Sequence, residues 1–367
     1  MSELTSKLTA IRDNLNIVKS SNNVAFENKN TATVDVLTAQ TESIENIWFK
    51  TPEAGITFNS SINGNMPPDD EEKLTFNVKN IQITSSCVNM FKGLNEFSTI
   101  DLSESDFSNA TKTNSMFAEN NSLINVISGN LDMSKVTEAQ LMFYGCSSLK
   151  YVENIENWNT SNLQKTNQMF QSVMFDKLDL SNWDVSNLTS ADNMFQNSNI
   201  GEISLNWENV NDTISIIQMF SGCGSLKKLD MSGFNYNGSS LNLNGAFSYC
   251  RNLEELMLPE KRINISVLTN TFINCNSLVS LDLSNFDTSN VSYYISTFSG
   301  CTSLETLDLS GWVMPSNIST TYTNNMFNNC SSLKTVICKN MSSTDLTKLK
   351  TIMGRNITID NITFVTE

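Results

Sequence analysis

Cysteine is one residue type in this chain whose spacing could support chemistry. Six of the eight cysteines each follow a phenylalanine by three residues: Cys146, Cys223, Cys250, Cys275, Cys301 and Cys330. The last five recur at intervals of 25 to 29 residues, so neighbouring thiols could approach closely enough for a disulfide. In other repeats the same position holds Leu94, Asn120, Val173 or Ser198, which indicates a small buried slot. We therefore predict reduced, buried thiols. Disulfides remain the alternative, and zinc is disfavoured because histidine and Cys-x-x-Cys are both missing.

Carboxylates form a second regular series. They occupy the middle of a predicted short strand at Asp101, Glu153, Asp179, Asp230, Asp282 and Asp308, while other repeats have Ile127, Ser204, Met257 or Ile337 there. Such groups could contact a basic partner, bind calcium or hydrolyse a glycan as a pair. Hydrogen bonding to neighbouring Ser and Asn, or simple solvation, is the first expectation. The six are also our candidate partner-binding residues; calcium stays open, and no metal site is assigned.

The sequence excludes several function classes. It contains no histidine, which removes the commonest general base and the usual metal ligand. It also has no glycine-rich phosphate loop and no Gly-x-Ser-x-Gly motif, so we predict no enzymatic activity, no catalytic residues and no cofactor. A net charge of −15 disfavours binding to nucleic acid or to an anionic membrane. No apolar run is long enough for membrane insertion, and the N-terminus shows no signal-peptide pattern.

A repeat must position these residues. A phenylalanine, usually after methionine, recurs at intervals of 25 to 29 residues at Phe91, Phe117, Phe143, Phe170, Phe195, Phe220, Phe247, Phe272, Phe298 and Phe327. A unit this short cannot bury its own apolar face and has to stack on its neighbours. The chain is therefore predicted to be an α/β repeat solenoid of about ten coils, capped at both ends.

The clearest copies of the repeat predict the structure of one coil. Leu-x-x-Leu-x-Leu occurs at 278–283 and 304–309, and its last three positions alternate inward and outward like a strand. An aromatic residue and a polar turn follow, and the segment before Met-Phe is long enough for a short helix. We predict parallel strands on one face and a row of helical turns on the other. Leu281, Leu283, Leu307 and Leu309 should be buried, with Phe272 and Phe298 behind them.

The combined pattern resembles a known family. Met-Phe-x-x-Cys-x-Ser-Leu, paired with Leu-Asp-Leu-Ser-x-Trp/Phe-Asp-x-Ser-Asn-Val, is similar to the BspA-like leucine-rich repeat of bacterial surface proteins and lipoproteins. The resemblance covers roughly residues 75–340. It implies a curved right-handed solenoid with a role in adhesion or recognition, and it transfers no catalytic residues. The chain departs from the family in showing no export signal.

Four segments are predicted: an N-terminal helix and anchoring arm (1–45), a linker with cap strands (46–84), the solenoid (85–340) and a helix–strand cap (341–367). In the arm, a heptad seam forms a candidate docking site: Leu4, Leu8, Ile11, Leu15 and Val18. Residues 74–84 alternate like strands that cap the first coil. In the last segment, Ser342 is the predicted helix cap, Gly354 the end of that helix, and 357–365 a strand.

Two functions are expected from these features. The opening residues 4–15 resemble the beginnings of bacteriophage tail and virion accessory proteins. The first hypothesis is a virion component, made in the host cytoplasm, that decorates a capsid or serves as a baseplate or tail receptor-binding protein. Its arm would bind other virion or assembly proteins, and its solenoid a host-surface protein or glycan; homo-oligomerisation stays open. The alternative is a bacterial cell-surface BspA-like adhesin, and a cytoplasmic scaffold is a third reading.

Overall fold

The computed structural model describes residues 56–59, 75–83, 85–95, 97–129, 131–205 and 207–367. They form two compact units, which divide between Leu163 and Gln164. The predicted docking seam from Leu4 to Val18 lies outside the described residues, so its role stays a prediction. The boundaries of the four predicted segments also stay predictions.

The first unit contains one five-stranded sheet. Its strands are β1 (Ile56–Asn59), β2 (Thr75–Gln82), β3 (Thr99–Asp106), β4 (Asn125–Ile127) and β5 (Tyr151–Val152), in that order across the sheet. The pair β1–β2 is antiparallel, and the following pairs are parallel. Strand β2 lies where residues 74–84 predict one. Two 3₁₀ turns, Met133–Lys135 and Ile155–Asn157, follow β4 and β5.

The second unit repeats a short strand in each coil. These strands are β6 (Lys177–Leu180), β7 (Glu202–Leu205), β8 (Lys228–Asp230), β10 (Glu255–Met257), β12 (Ser280–Asp282), β14 (Thr306–Asp308), β15 (Thr335–Ile337) and β16 (Thr363–Val365). Their described pairings, β6–β7, β8–β10 and β12–β14–β15–β16, are all parallel. A second parallel sheet joins β9 (Leu241–Asn242), β11 (Ile263–Val267) and β13 (Phe286–Asp287). Two α-helices are described, α1 (Thr320–Thr323) and α2 (Ser343–Met353).

Helix α2 and strand β16 close the C-terminal end of the second unit. The Ser342 side chain accepts a hydrogen bond from the Asp345 N–H, which confirms the predicted cap. Leu349 and Ile352 bury the apolar face of the helix, and the chain then returns as β16 against β15. The helix thus shields the last coil from water.

Phenylalanine rings fill the core of each unit. In the first unit the rings of Phe91, Phe117 and Phe143 stack with centroids 5.6 and 5.3 Å apart. In the second unit the spacings lie between 5.3 and 6.0 Å, along Phe170, Phe195, Phe220, Phe247, Phe272, Phe298 and Phe327. These ten rings, three in the first unit and seven in the second, are called the phenylalanine column. The prediction for Leu281, Leu283, Leu307 and Leu309 is confirmed, since all four are buried on or beside parallel strands, as are Phe272 and Phe298.

The predicted row of helical turns is wrong. Around Phe298, residues Ser296 and Gly300 have φ of 52° and 80°, and the same two positions are left-handed around every phenylalanine of the column. Ser299 N–H bonds within its own turn, to Ser296 O, whereas Phe298 N–H bonds to Met326 O of the next coil at 2.9 Å. In a helix, each N–H beyond the first turn bonds to a carbonyl of the same segment. Along these consecutive turns, every second backbone N–H instead donates to a carbonyl of the adjacent coil, as in a strand.

Candidate recognition surface

In each unit, the exposed side of the strands carries two rows of side chains, and the rows of both units are called the strand-face surface. They flank the central residue of each strand, which is half-buried at Leu256 and Phe364 and buried in the other strands. The first row runs through Thr99, Asn125 and Tyr151 in the first unit, and Lys177, Glu202, Lys228, Glu255, Ser280, Thr306, Thr335 and Thr363 in the second. The second row contains the predicted carboxylates and their counterparts: Asp101, Ile127 and Glu153, then Asp179, Ser204, Asp230, Met257, Asp282, Asp308, Ile337 and Val365. All of these are half-buried or exposed.

The acidic residues of the second row close the strand ends. Each aspartate accepts a hydrogen bond through Oδ1 from the backbone N–H of the serine two residues later, at 2.8–3.0 Å: Asp101, Asp179, Asp230, Asp282 and Asp308. Glu153 Oε2 instead accepts from the Gly129 N–H at 3.2 Å. Hydroxyl and backbone donors of Ser181 and Ser232 lower the pKa of Asp179 and Asp230. The expected hydrogen bonding to neighbouring serines is thus present.

The six carboxylates do not form one continuous acidic column. Asp101 and Glu153 belong to the first unit, and the other four belong to the second. In the described pairings, Asp282 and Asp308 are the only two of the six in direct register. Elsewhere an acidic residue lies opposite a neutral one, as Asp179 lies opposite Ser204. This alternation limits repulsion between like charges. The part that these residues play in partner binding stays a prediction.

The first row alternates in charge, a feature that the sequence reading missed. Lys177 lies 2.8 Å from Glu202, and Lys228 lies 3.1 Å from Glu255, each pair joining adjacent strands in register. The partner carboxylate raises the pKa of Lys177. All four side chains are more than half exposed, so each pair contributes little to stability. The signal lay in the alternation of Lys and Glu just before the inward Leu or Ile of consecutive repeats.

The predicted burial of the repeat thiols is confirmed, and the structure gives their role. Each of the six Sγ atoms donates to the carbonyl of the phenylalanine one coil earlier, at 2.9–3.1 Å, as Cys275 does to Phe247. Asn120 Nδ2 and Ser198 Oγ do the same in their coils. The slot therefore accepts a small hydrogen-bond donor. Burial raises the pKa of Cys146, Cys250 and Cys330 to about 12, so these thiols are protonated at neutral pH.

The described residues lack what a metal centre or a membrane-spanning helix would need. Across the part of the chain that the structure describes, no three His, Cys, Asp or Glu side chains come together as a metal-binding group. Among the described helices, none combines the length and the hydrophobicity needed to cross a membrane. The described ionisable groups with the largest pKa shifts are buried thiols and Tyr294.

Comparison with known proteins supplies family matches over most of the chain. The family described as "Mycoplasma protein of unknown function, DUF285" matches at 22–151, 84–207 and 124–234. The "BspA type Leucine rich repeat region" matches 243–366 in six copies. A solved leucine-rich repeat protein from Eubacterium ventriosum is 15% identical, covering 78% of this chain and 82% of that one, with a TM-score of 0.29. The TLR13–ssRNA13 complex gives 16% identity, 74% and 51% coverage, and a TM-score of 0.25. The curated proteins provide no match.

Proposed function

The chain belongs to the DUF285 family and carries BspA-type leucine-rich repeats, and on that premise we propose that it is a non-enzymatic recognition protein displayed on a bacterial cell surface. Its contact area would be the strand-face surface. The partner would be a protein whose charges complement the alternating row of Lys177, Glu202, Lys228 and Glu255.

The observation that carries this proposal is the distribution of charge between inside and outside. In the described residues, the buried polar side chains are Ser, Thr and Asn, while the Asp, Glu, Lys and Arg side chains are half-buried or exposed. The interior repeats a phenylalanine ring in every coil and a buried thiol in six of them. The side chains that differ between coils stand on the strand face, where they can discriminate between partners.

The row of alternating charge suits recognition better than stabilisation. Its ion pairs are exposed, so they add little to folding and exchange readily with groups on a partner. A partner with the opposite alternation would fix the register of the complex, and a partner of uniform charge would meet repulsion at every second position. Binding of this kind should weaken as salt is raised.

The virion hypothesis receives no support from the family comparisons, whereas the adhesin alternative agrees with the BspA-type repeats. The docking seam on which the virion hypothesis rests lies outside the described residues. No second function is therefore proposed.

Surface display can be tested on intact bacteria that make the full chain. Brief treatment with an added protease should degrade the chain while a cytoplasmic marker protein survives. Protection of the chain until the cells are lysed would contradict display at the surface.

The contact area can be tested with purified protein and cultured host cells. The double variant Lys177→Glu/Lys228→Glu should lose most of the salt-sensitive binding, because it removes the alternation. The control Lys261→Glu/Lys339→Glu makes the same charge change at two exposed lysines outside the strand-face surface and should bind like the parent. Equal losses in both variants would show a general charge effect and reject the proposed surface.

A further inference from the structure

A cleft of about 850 Å³ opens in the second unit, outside the strand-face surface. Three segments line it: the turn at 288–292, the stretch 313–317, and the first turns of helix α2. Tyr322 of helix α1 contributes an aromatic wall. This volume falls in the range of roughly 300–1,000 Å³ that is typical of ligand-binding pockets.

The floor of the cleft is held by hydrogen bonds, so the site is formed before any ligand arrives. Thr288 is 1% exposed, and its Oγ1 accepts from the Val313 N–H at 2.8 Å and donates to Val313 O at 3.1 Å. The hydroxyl of buried Tyr294 donates to the same carbonyl at 2.8 Å. Met314 is 2% exposed, and its N–H donates to Asp345 Oδ1 at 3.2 Å. A rigid floor lowers the entropic cost of binding.

The charged groups of the cleft are already paired. Lys348 Nζ lies 3.4 Å from Asp345 Oδ1 and 3.5 Å from Met314 O. The same carboxylate accepts from the Met314 N–H, and its Oδ2 accepts from the Ser342 hydroxyl at 2.6 Å. One positive and one negative charge therefore cancel within the protein. A charged ligand would have to break this network, whereas a neutral ligand would leave it intact.

The remaining lining combines neutral polar groups with an aromatic face. Asn290, Ser292, Asn317 and Thr344 are exposed and present amide and hydroxyl groups. Tyr322 is half-buried, and its ring packs against that of Tyr293 with centroids 5.4 Å apart. This packing fixes the orientation of the wall. Amide and hydroxyl groups beside an aromatic face match a ring that has hydroxyls at its edge and C–H groups on its face.

We propose that this cleft binds a neutral oligosaccharide. A sugar ring would lie against Tyr322, its C–H face on the aromatic wall, and its hydroxyls would exchange hydrogen bonds with Asn290, Asn317 and Thr344. The protein charge of −15 disfavours acidic glycans as a class. The site stands apart from the strand-face surface and does not depend on the proposed adhesive role of that surface.

A second cleft, in the first unit, has a different lining. It measures about 580 Å³, and its lining includes Asp106, Asp132 and Trp158. Trp158 is only 6% exposed, so it offers little aromatic face to a ligand. Both Asp132 oxygens are bonded to Ser134, at 2.8 and 2.9 Å. This cleft therefore lacks an aromatic wall like that of Tyr322.

The test uses the purified full chain and a panel of neutral trisaccharides: maltotriose, mannotriose and N,N′,N″-triacetylchitotriose. Saturation-transfer NMR reports contact at the C–H groups of the sugar, and calorimetry gives the affinity. At least one sugar should bind, with an affinity that changes little between low and high salt. Tyr322→Ala should weaken that binding about tenfold, and Tyr322→Phe should retain most of it because the ring remains.

Two further variants keep the test decisive if Tyr322→Ala disturbs folding. Thr344→Trp places a bulky group at an exposed position of the lining and should block binding with the fold intact. Tyr249→Ala removes a 43% exposed tyrosine of the same unit that does not line the cleft, and should bind sugar like the parent. The proposal is overturned if no panel sugar binds, if Thr344→Trp binds normally, or if a charged peptide binds there while the sugars do not. Each measurement is independent of cell adhesion and surface display.

Discussion

The phenylalanine column and the strand-face surface follow opposite rules, although both repeat once per coil. Within each unit, every coil of the column has the same ring, stacked on the ring of the neighbouring coil, and a small donor is common three residues later. On the strand face, Lys177, Glu202, Lys228 and Glu255 change charge at each step, and Ser280 then ends the series. Each ring of the column packs against the equivalent ring of the neighbouring coil, so the same residue type suits every coil. Each exterior position meets water, so it is free to vary.

This difference separates stability from recognition. A change in the column should cost folding free energy and leave specificity alone. A change on the strand face should do the reverse.

Phe272→Ala should produce the largest loss. The ring is fully buried between those of Phe247 and Phe298, at 5.5 and 5.8 Å, so its removal leaves a cavity inside a stack. We expect the free energy of unfolding to fall by about 3–5 kcal/mol. Denaturant titration measures it, with Tyr249→Ala as an exposed aromatic control. A loss as small as that of the control would contradict the structural role of the column.

Cys275 tests the position three residues after each phenylalanine of the column, where a small hydrogen-bond donor is common. Cys275→Ser keeps a donor toward Phe247 O, as Ser198 provides toward Phe170 O in another coil, whereas Cys275→Ala leaves that buried carbonyl without it. The alanine variant should lose about 1–3 kcal/mol and the serine variant clearly less. Equal losses would mean that volume alone matters in the slot. Native protein should also react slowly with a thiol reagent, and unfolded protein should titrate all eight thiols.

Asp230 closes the end of a strand and also belongs to the strand-face surface, so it tests whether such a residue contributes to stability. Its pKa is lowered by hydrogen bonds from Ser232, so its contribution is present above the ordinary carboxylate pKa and is lost as the pH falls through the lowered value. Because the side chain is exposed, we expect at most about 1 kcal/mol at neutral pH. Asp230→Asn should abolish this pH-dependent contribution to the free energy of unfolding. Denaturant titrations of both proteins, near neutral pH and in acid, would measure the difference. An unchanged pH dependence in the variant would contradict the assignment.

The pair Lys228–Glu255 should affect stability least. A double-mutant cycle with Lys228→Ala and Glu255→Ala should give a coupling of about 0–1 kcal/mol, because both side chains are more than half exposed. The same variants should weaken partner binding measurably. A coupling energy well above that range would mean that this row contributes to stability, as the phenylalanine column does.

The sequence alone determined the features that depend on spacing along the chain. The recurrence of phenylalanine required stacked coils, and the alternation in Leu281-Asp282-Leu283 and its counterparts predicted strands and buried leucines. The size of the residues in the cysteine slot predicted burial. Ser342 and the apolar spacing after it predicted helix α2. Each of these follows from local periodicity or from the fact that one coil cannot bury its own apolar face.

The tertiary structure decided what depends on the neighbouring coil. The segment before each phenylalanine has the length of a helix, but left-handed residues such as Ser296 and Gly300 direct N–H groups to the next coil instead. The ion pairs between the lysines and glutamates of the alternating row form because strands 25 to 27 residues apart come into register. The cleft at Tyr322 required helix α2 to bring Asp345 and Lys348 to Met314. These contacts join residues far apart in the chain, and their partners are set by the stacking of coils rather than by local sequence.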